Sequence, residues 1–361
     1  MPPRPEQEIR LLGLHSARGM NYWSRRPVIR MDLAVGAYDD ISSADVPGVR
    51  EALVGTLPGL RDHHCSVGAP GGFVKRLRQG TYAPHIIEHV ALELQSMIGH
   101  DVGYGKTRGG DEAGQYTLVF EYRHEQVGLR AAAIAMSIVQ EAFAGTLASI
   151  EAALDELRAL SRTVDSSPVA GRVYCGVTGG ALRHETQVAI CTALDDALGA
   201  DGSRVVVDVA PAYVLRAGLP YARSEMAVLL DTSLSDVAAR YREPEAAQKL
   251  VGTLIDGVRR DGLVICPAHA WELQDYARDR DCRVAIFSGA DDVTRKDRHV
   301  AIAVAFVAEG RIVIEDDGEE VDAPQLDADA PAVPQVVAAL AHALLRSAAD
   351  AKTGAKAGAV S

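Results

Sequence analysis

The sequence predicts two folds in series, an α+β unit over residues 1–163 and an α/β unit over residues 171–348. Three observations lead there. Over the first stretch, strand-like and helix-like segments come in runs, the pattern of an α+β domain. Over the second they alternate, which implies a mostly parallel sheet covered on both faces. Between the two, "SRTVDSSPVAG" is polar and carries a proline, so residues 164–170 read as a linker.

Element by element, "EIRLLGL" and "RPVIRMDLAV" read as strands. "VPGVREALVGTLP" reads as a helix entered through a turn at Pro47-Gly48, and "GGFVKRLRQG" as a short helix between glycines. "GTYAPHIIEHVALELQ" is an amphipathic helix, discussed below. "DVGYGKTR" and "QYTLVFEYRH" are strands around a turn, and two helices at about 127–144 and 147–160 close the unit. Past the linker, "GRVYCGVTGG", "SRVVVDVA", "EMAVLLDTS", "LVICPA" and "CRVAIFS" are strands. "HETQVAICTALDDALG", "EAAQKLVGTLIDGVRRDG" and "AWELQDYARDR" are the helices among them. A hairpin in "HVAIAVAFVAEGRIVIED" and a helix in "PQVVAALAHALLRSAA" follow, and residues 349–361 are expected to be disordered.

Composition narrows the function. Hydrophobic residues make up 48% and charged residues 24%, as in a globular protein with proper cores. The formal net charge of -12 repels phosphate backbones, so no nucleic-acid partner is expected. Five scattered cysteines without a C-x-x-C pair suit a reducing compartment. The opening "MPPRPEQEIR" has no apolar signal-peptide core, and "LRAAAIAMSIV" is too short to span a bilayer. A cytoplasmic protein without a membrane partner is expected.

In "GTYAPHIIEHVALELQ", Thr81 or a neighbour can cap the helix, Pro84 suits its first turn and Gly99 can end it. Ile86, Ile87, Val90, Leu94, Met97 and Ile98 form one apolar stripe. His85 and His89 stand one turn apart on the other side, flanked by Glu88. Two imidazoles at i and i+4 can share one zinc ion, and a carboxylate between them can take a proton from water, the H-x-x-E-H arrangement of inverted zinc peptidases. The competing reading is a solvated polar face on an ordinary helix. A metal needs a third ligand, for which Glu93, Glu121, His63 and His64 are candidates.

"ARGMNYWSRRPVI", "LPGLRDHHCS", "PGGFVKRLRQGTYAPHIIEHVALELQ", "VGYGKTR" and "GQYTLVFEY" together resemble the N-terminal domain of cyanophycin synthetases, from about residue 9 to 160. That family assembles a polyaspartate chain carrying arginine, using an ATP-grasp domain and a Mur-ligase-like domain. Its N-terminal domain binds the polymer and in some members cuts it at a metal site. The resemblance implies His85 and His89 as metal ligands and Glu88 as general base. No ATP-grasp domain lies between the two halves here, and the second half resembles a shortened, degenerate Mur-ligase-like domain. Where the family has T-G-T-N-G-K-T-T, this chain has Thr178-Gly179-Gly180-Ala181-Leu182-Arg183-His184-Glu185. A phosphate loop needs glycine before a compact lysine and a hydroxyl after it. Gly179 remains, but Leu182, Arg183 and His184 break that pattern, so no ATP binding is expected. Asp208 stands where the family has a glutamate and reads as a remnant.

The expected activity is metal-dependent hydrolysis, with a divalent ion such as zinc, of cyanophycin or a related Asp/Arg-type peptide. Arg25, Arg26, His63, Lys106 and Arg108 are candidates for binding substrate. The alternative is a non-catalytic pseudo-synthetase that binds polymer or partners a full-length synthetase. An ATP-dependent amide ligase with an altered nucleotide site ranks behind both. The resemblance also implies a homo-oligomer.

Overall fold

The structure is a computed structural model that describes residues 3–65, 68–163, 173–198 and 204–357. Contacts divide the chain into two compact units, Met1–Ser167 with Arg216–Gly218, and the remainder. The predicted linker, residues 164–170, lies outside the described residues.

In the first unit the elements run α1 (Pro5–Glu8), β1 (Arg10–Ala17), β2 (Val28–Ala34), α2 (Val49–Thr56), α3 (Gly72–Gln79), α4 (Ala83–Ser96), β3 (Gly105–Gly109), β4 (Gln115–Glu121), α5 (Glu125–Ala144) and α6 (Glu151–Thr163). The four strands form an antiparallel sheet in the order β1-β2-β4-β3. Alternation puts Ile29, Met31 and Leu33 of β2 and Leu118 and Phe120 of β4 on one face, all fully buried. Against that face pack α4, over β3 and β4, and α5, over β1 and β2. Each of these large apolar side chains contributes about 1.5–3 kcal/mol by leaving water, so the face fixes the register. By length and composition α5 could cross a membrane, although the longest uninterrupted apolar run reads as too short. Here Val127, Ala131, Ile138 and Phe143 are part of the core instead.

The second unit contains β5 (Val173–Thr178), α7 (Arg183–Leu198), β6 (Arg204–Asp208), α8 (Pro211–Ala217), β7 (Ser224–Leu229), α9 (Pro244–Gly257), β8 (Val258–Pro267), α10 (Trp271–Arg278), β9 (Arg283–Phe287), α11 (Arg295–Val300), β10 (Ala303–Ala308), β11 (Arg311–Asp316), β12 (Glu319–Val321) and α12 (Ala332–Ala357). Its eight strands run β12-β11-β10-β9-β8-β7-β5-β6, parallel from β6 to β10 and antiparallel at the β11–β12 edge. One face carries α7 and α12, the other α9 and α10. The predicted α+β and α/β classes both hold. Two local expectations do not. "VRRDG" continues no helix: α9 stops at Gly257 and Val258 opens β8. And α12 runs on to Ala357, into the segment for which disorder is expected, while residues 358–361 lie outside the described residues.

Candidate metal centre

The helix α4 is the middle of the first unit's core. Twelve of its positions from Ala83 to Gln95 are buried, including Glu88, His89 and Glu93. A solvated polar face is therefore excluded: burying ionisable groups needs partners, and they are present. Thr81 does not cap the helix, whose N-cap is Tyr82. Its hydroxyl oxygen lies 2.8 Å from His85 Nδ1. The other ring nitrogen, Nε2, is 3.4 Å from Cys65 Sγ. His89 stacks on Phe73 of α3, ring centroids 3.9 Å apart, and its Nδ1 is 2.8 Å from Nδ1 of His63. His63 in turn meets Glu93 Oε2 through Nε2 at 3.1 Å.

Donor atoms of Cys65, His85 and His89 all lie within 4.8 Å of one another. Tetrahedral zinc with sulfur and nitrogen ligands at their usual bond lengths separates them by roughly 3.3–3.6 Å, close to the Cys65–His85 spacing. Burial holds both imidazoles neutral, the form that ligates: His85 titrates down at about 4 and His89 at about 2, helped by neighbouring Arg76 for the first and by His85 and His63 for the second. Cys65 sits in left-handed backbone, φ +53°, a conformation that residues other than glycine adopt only when their surroundings enforce it. The residues present fit a divalent metal with two nitrogen donors and one sulfur donor.

Glu88 approaches from the β3 side. Thr107 donates its hydroxyl proton to Glu88 Oε2 at 2.5 Å. Burial lifts its carboxyl to about 7, the Thr107 hydrogen bond opposing the rise. A carboxyl near neutral pH both takes and returns protons. Gly105 makes the seat: a Cβ there would stand 2.4 Å from Glu88 Oε1. All these groups open onto one cleft of about 1130 Å³.

The other sequence candidates separate cleanly. Glu93 reaches the cluster only through His63, and a Cβ on Gly59 would stand 2.2 Å from its carboxylate oxygen. Glu121 is engaged elsewhere, accepting from Ser24 Oγ at 3.2 Å and facing Arg26 at 3.6 Å. His63 and His64 both line the cleft. Lys106 also lines it, whereas Arg25, Arg26 and Arg108 are not among its lining residues. Cys65 is the residue that sequence reasoning passed over. Its signal was the "DHHCS" string, in which only the histidines were weighed.

In the second unit, the loop after β5 holds no open cradle. The Asp231 carboxylate accepts the backbone N–H of Gly180 at 3.0 Å, of Ala181 at 3.3 Å and of Ser233 at 2.7 Å. Arg183 donates to Asp208 at 2.8 Å and to the carbonyl of Gly179 at 2.9 Å. Leu182 stands in left-handed backbone at φ +57°, and His184 is exposed. Asp208 is thus an ion-pair partner of Arg183.

Residues 28–144, which contain Cys65, His85, Glu88 and His89, match the family described as the cyanophycin synthase-like N-terminal domain. The particular relatives are cyanophycin synthetases. That of Trichormus variabilis is 43% identical over 134 residues, 37% of this chain and 15% of that one. That of Synechocystis sp. is 40% identical over 157 residues, 42% of this chain and 18% of that one. The matched part thus spans less than a fifth of the relatives' length. Among solved structures, the MurF ligase of Thermotoga maritima in complex with ADP is similar at a TM-score of 0.34 and 14% identity, covering 50% of this chain and 46% of that chain. The UDP-N-acetylmuramate:L-alanyl-gamma-D-glutamyl-meso-diaminopimelate ligase of Neisseria meningitides is similar at 0.34 and 18%, covering 54% and 68%.

Proposed function

We propose that the first unit is a metal-dependent hydrolase that cleaves cyanophycin or a related Asp/Arg-type peptide. The observation that carries this reading is the convergence of Cys65, His85 and His89 beside Glu88, in one cleft. A zinc-like ion held by the three donors supplies Lewis acidity to the scissile carbonyl. The chain's own residues supply the rest. Glu88 takes the proton of the attacking water and passes it to the leaving amine, which its raised carboxyl suits. Thr107 fixes the oxygen that is not transferring the proton. Arg76 and Lys106 line the cleft and suit the carboxylates of such a peptide, while Asp62 suits its guanidinium groups.

The second reading, a pseudo-synthetase that binds polymer without cutting it, is favoured by the filled loop beside Asp231 and by the synthetase names of the relatives. In both readings the second unit takes no ATP. Chain shortening of cyanophycin by purified protein, with and without chelator and beside Glu88→Gln, decides between them. Chelator-sensitive cleavage that disappears in the variant supports the hydrolase. Polymer binding without cleavage by metal-loaded protein establishes the pseudo-synthetase.

A further inference from the structure

We infer that Glu93 and His63 form a positioning relay that sets the tautomer of His89. The inference takes from the reading above only that His89 is a ligand. An ionised carboxylate accepts hydrogen bonds and donates none. The 3.1 Å contact between Glu93 Oε2 and His63 Nε2 therefore places a proton on that nitrogen. In its neutral form His63 then carries its lone pair on Nδ1. The 2.8 Å contact between the two Nδ1 atoms needs one hydrogen between them, and His89 Nδ1 must supply it. His89 is left with its lone pair on Nε2. On His85 the same two nitrogens are divided between partners, Thr81 meeting Nδ1 and Cys65 facing Nε2, and the Thr81 hydroxyl can accept from an Nδ1–H. Both imidazoles then offer the same nitrogen. The pocket is built around the relay: Glu93 is buried, and Gly59 leaves room for its carboxylate, which a Cβ would meet at 2.2 Å. Phe73 stacked on His89 and near His63 holds the rings in place. Carboxylate–histidine pairs behind a ligating histidine fix ring orientation and raise ligand basicity, and losing one weakens metal affinity by about 10–100-fold.

The test is long-range proton–nitrogen correlation spectroscopy on full-length, chelator-treated protein with labelled histidine, joined to zinc affinity by competition. Wild type is expected to show His89 protonated at Nδ1. Glu93→Gln, whose amide oxygen still accepts, keeps that tautomer and near-native affinity. Glu93→Leu mixes the tautomers and binds zinc about 10–100-fold more weakly. His89 protonated at Nε2 in wild type, or Glu93→Leu with unchanged tautomer and affinity, overturns the relay. If Glu93→Leu fails to fold, the wild-type spectrum alone decides. Failure of the hydrolase reading is separate: protein that shows the expected tautomer and affinity but cuts no polymer leaves the relay standing.

Discussion

One methyl group at residue 105 tests whether Glu88 acts from where it sits. In Gly105→Ala the new Cβ would lie 2.4 Å from Glu88 Oε1 and 2.8 Å from both Cδ and Cγ, against an ordinary contact of 3.4 Å. Two of the three clashing atoms are not the tip of the side chain, so a rotation of the carboxylate alone does not relieve them. The group must retreat by roughly 0.6–1 Å to regain van der Waals distance, which pulls it off the Thr107 hydroxyl. A misplacement of about 1 Å at a reacting group costs roughly 100-fold in rate, while overpacking of this kind costs about 1–3 kcal/mol of stability. None of Cys65, His85 and His89 lies within 4 Å of that Cβ among its three nearest atoms. The assay is cyanophycin chain shortening, with bound zinc measured on the same sample. The expected result is a kcat about 100-fold lower at unchanged zinc content. A variant with wild-type kcat, or one that loses its metal, would refute the reasoning.

Two further outcomes follow from groups outside the cleft. His100 is buried at the end of α4, bonded through Nε2 to Ser161 at 3.0 Å, and burial with His124 and Arg123 nearby lowers its pKa below 6.5. The unfolded chain therefore takes up a proton that the folded chain refuses, so stability falls as pH drops through about 6.5. Replacing it in His100→Asn should make denaturant-derived stability fall less steeply between pH 7 and 5; an unchanged slope contradicts the account. In Asp231→Ala the N–H groups of Gly180, Ala181 and Ser233 lose their acceptor. A loss of roughly 1–2 kcal/mol is expected. A melting temperature equal to wild type would show that the carboxylate does not hold the loop.

Local pattern made α4, the β3–β4 pair and the strand–helix alternation of the second unit legible in sequence, because each has a period that one element can show alone. His85, Glu88 and His89 were legible for the same reason: four residues of helix bring them to one side. Cys65 was not. It comes from a loop whose position depends on how α3 packs Phe73 beneath His89, and no spacing within "DHHCS" reports that contact. Glu93 illustrates the converse. Its helical position beside His85 and His89 made it a candidate third ligand, yet His63 stands between it and His89. The expectation that Thr81 or a neighbour caps the helix is met by the neighbour, Tyr82, while the Thr81 hydroxyl meets His85 instead of the helix end. Helical spacing tells which residues share a side; it does not tell what has been inserted between them.

Leu182 has a wider consequence. A leucine at φ +57° carries a steric penalty that glycine does not, on the order of 1–2 kcal/mol. The curve persists because Asp231 accepts from the N–H groups of Gly180 and Ala181 while Arg183 donates back to the carbonyl of Gly179. The Asp231 carboxylate lies on the backbone N–H groups of this turn that a bound anion would otherwise meet, so the chain's own charge closes the turn to anions. Placing glycine and lysine in the loop would ease the bend without freeing those N–H groups. An engineer seeking to open the turn to an anion has to begin just past β7, with Asp231.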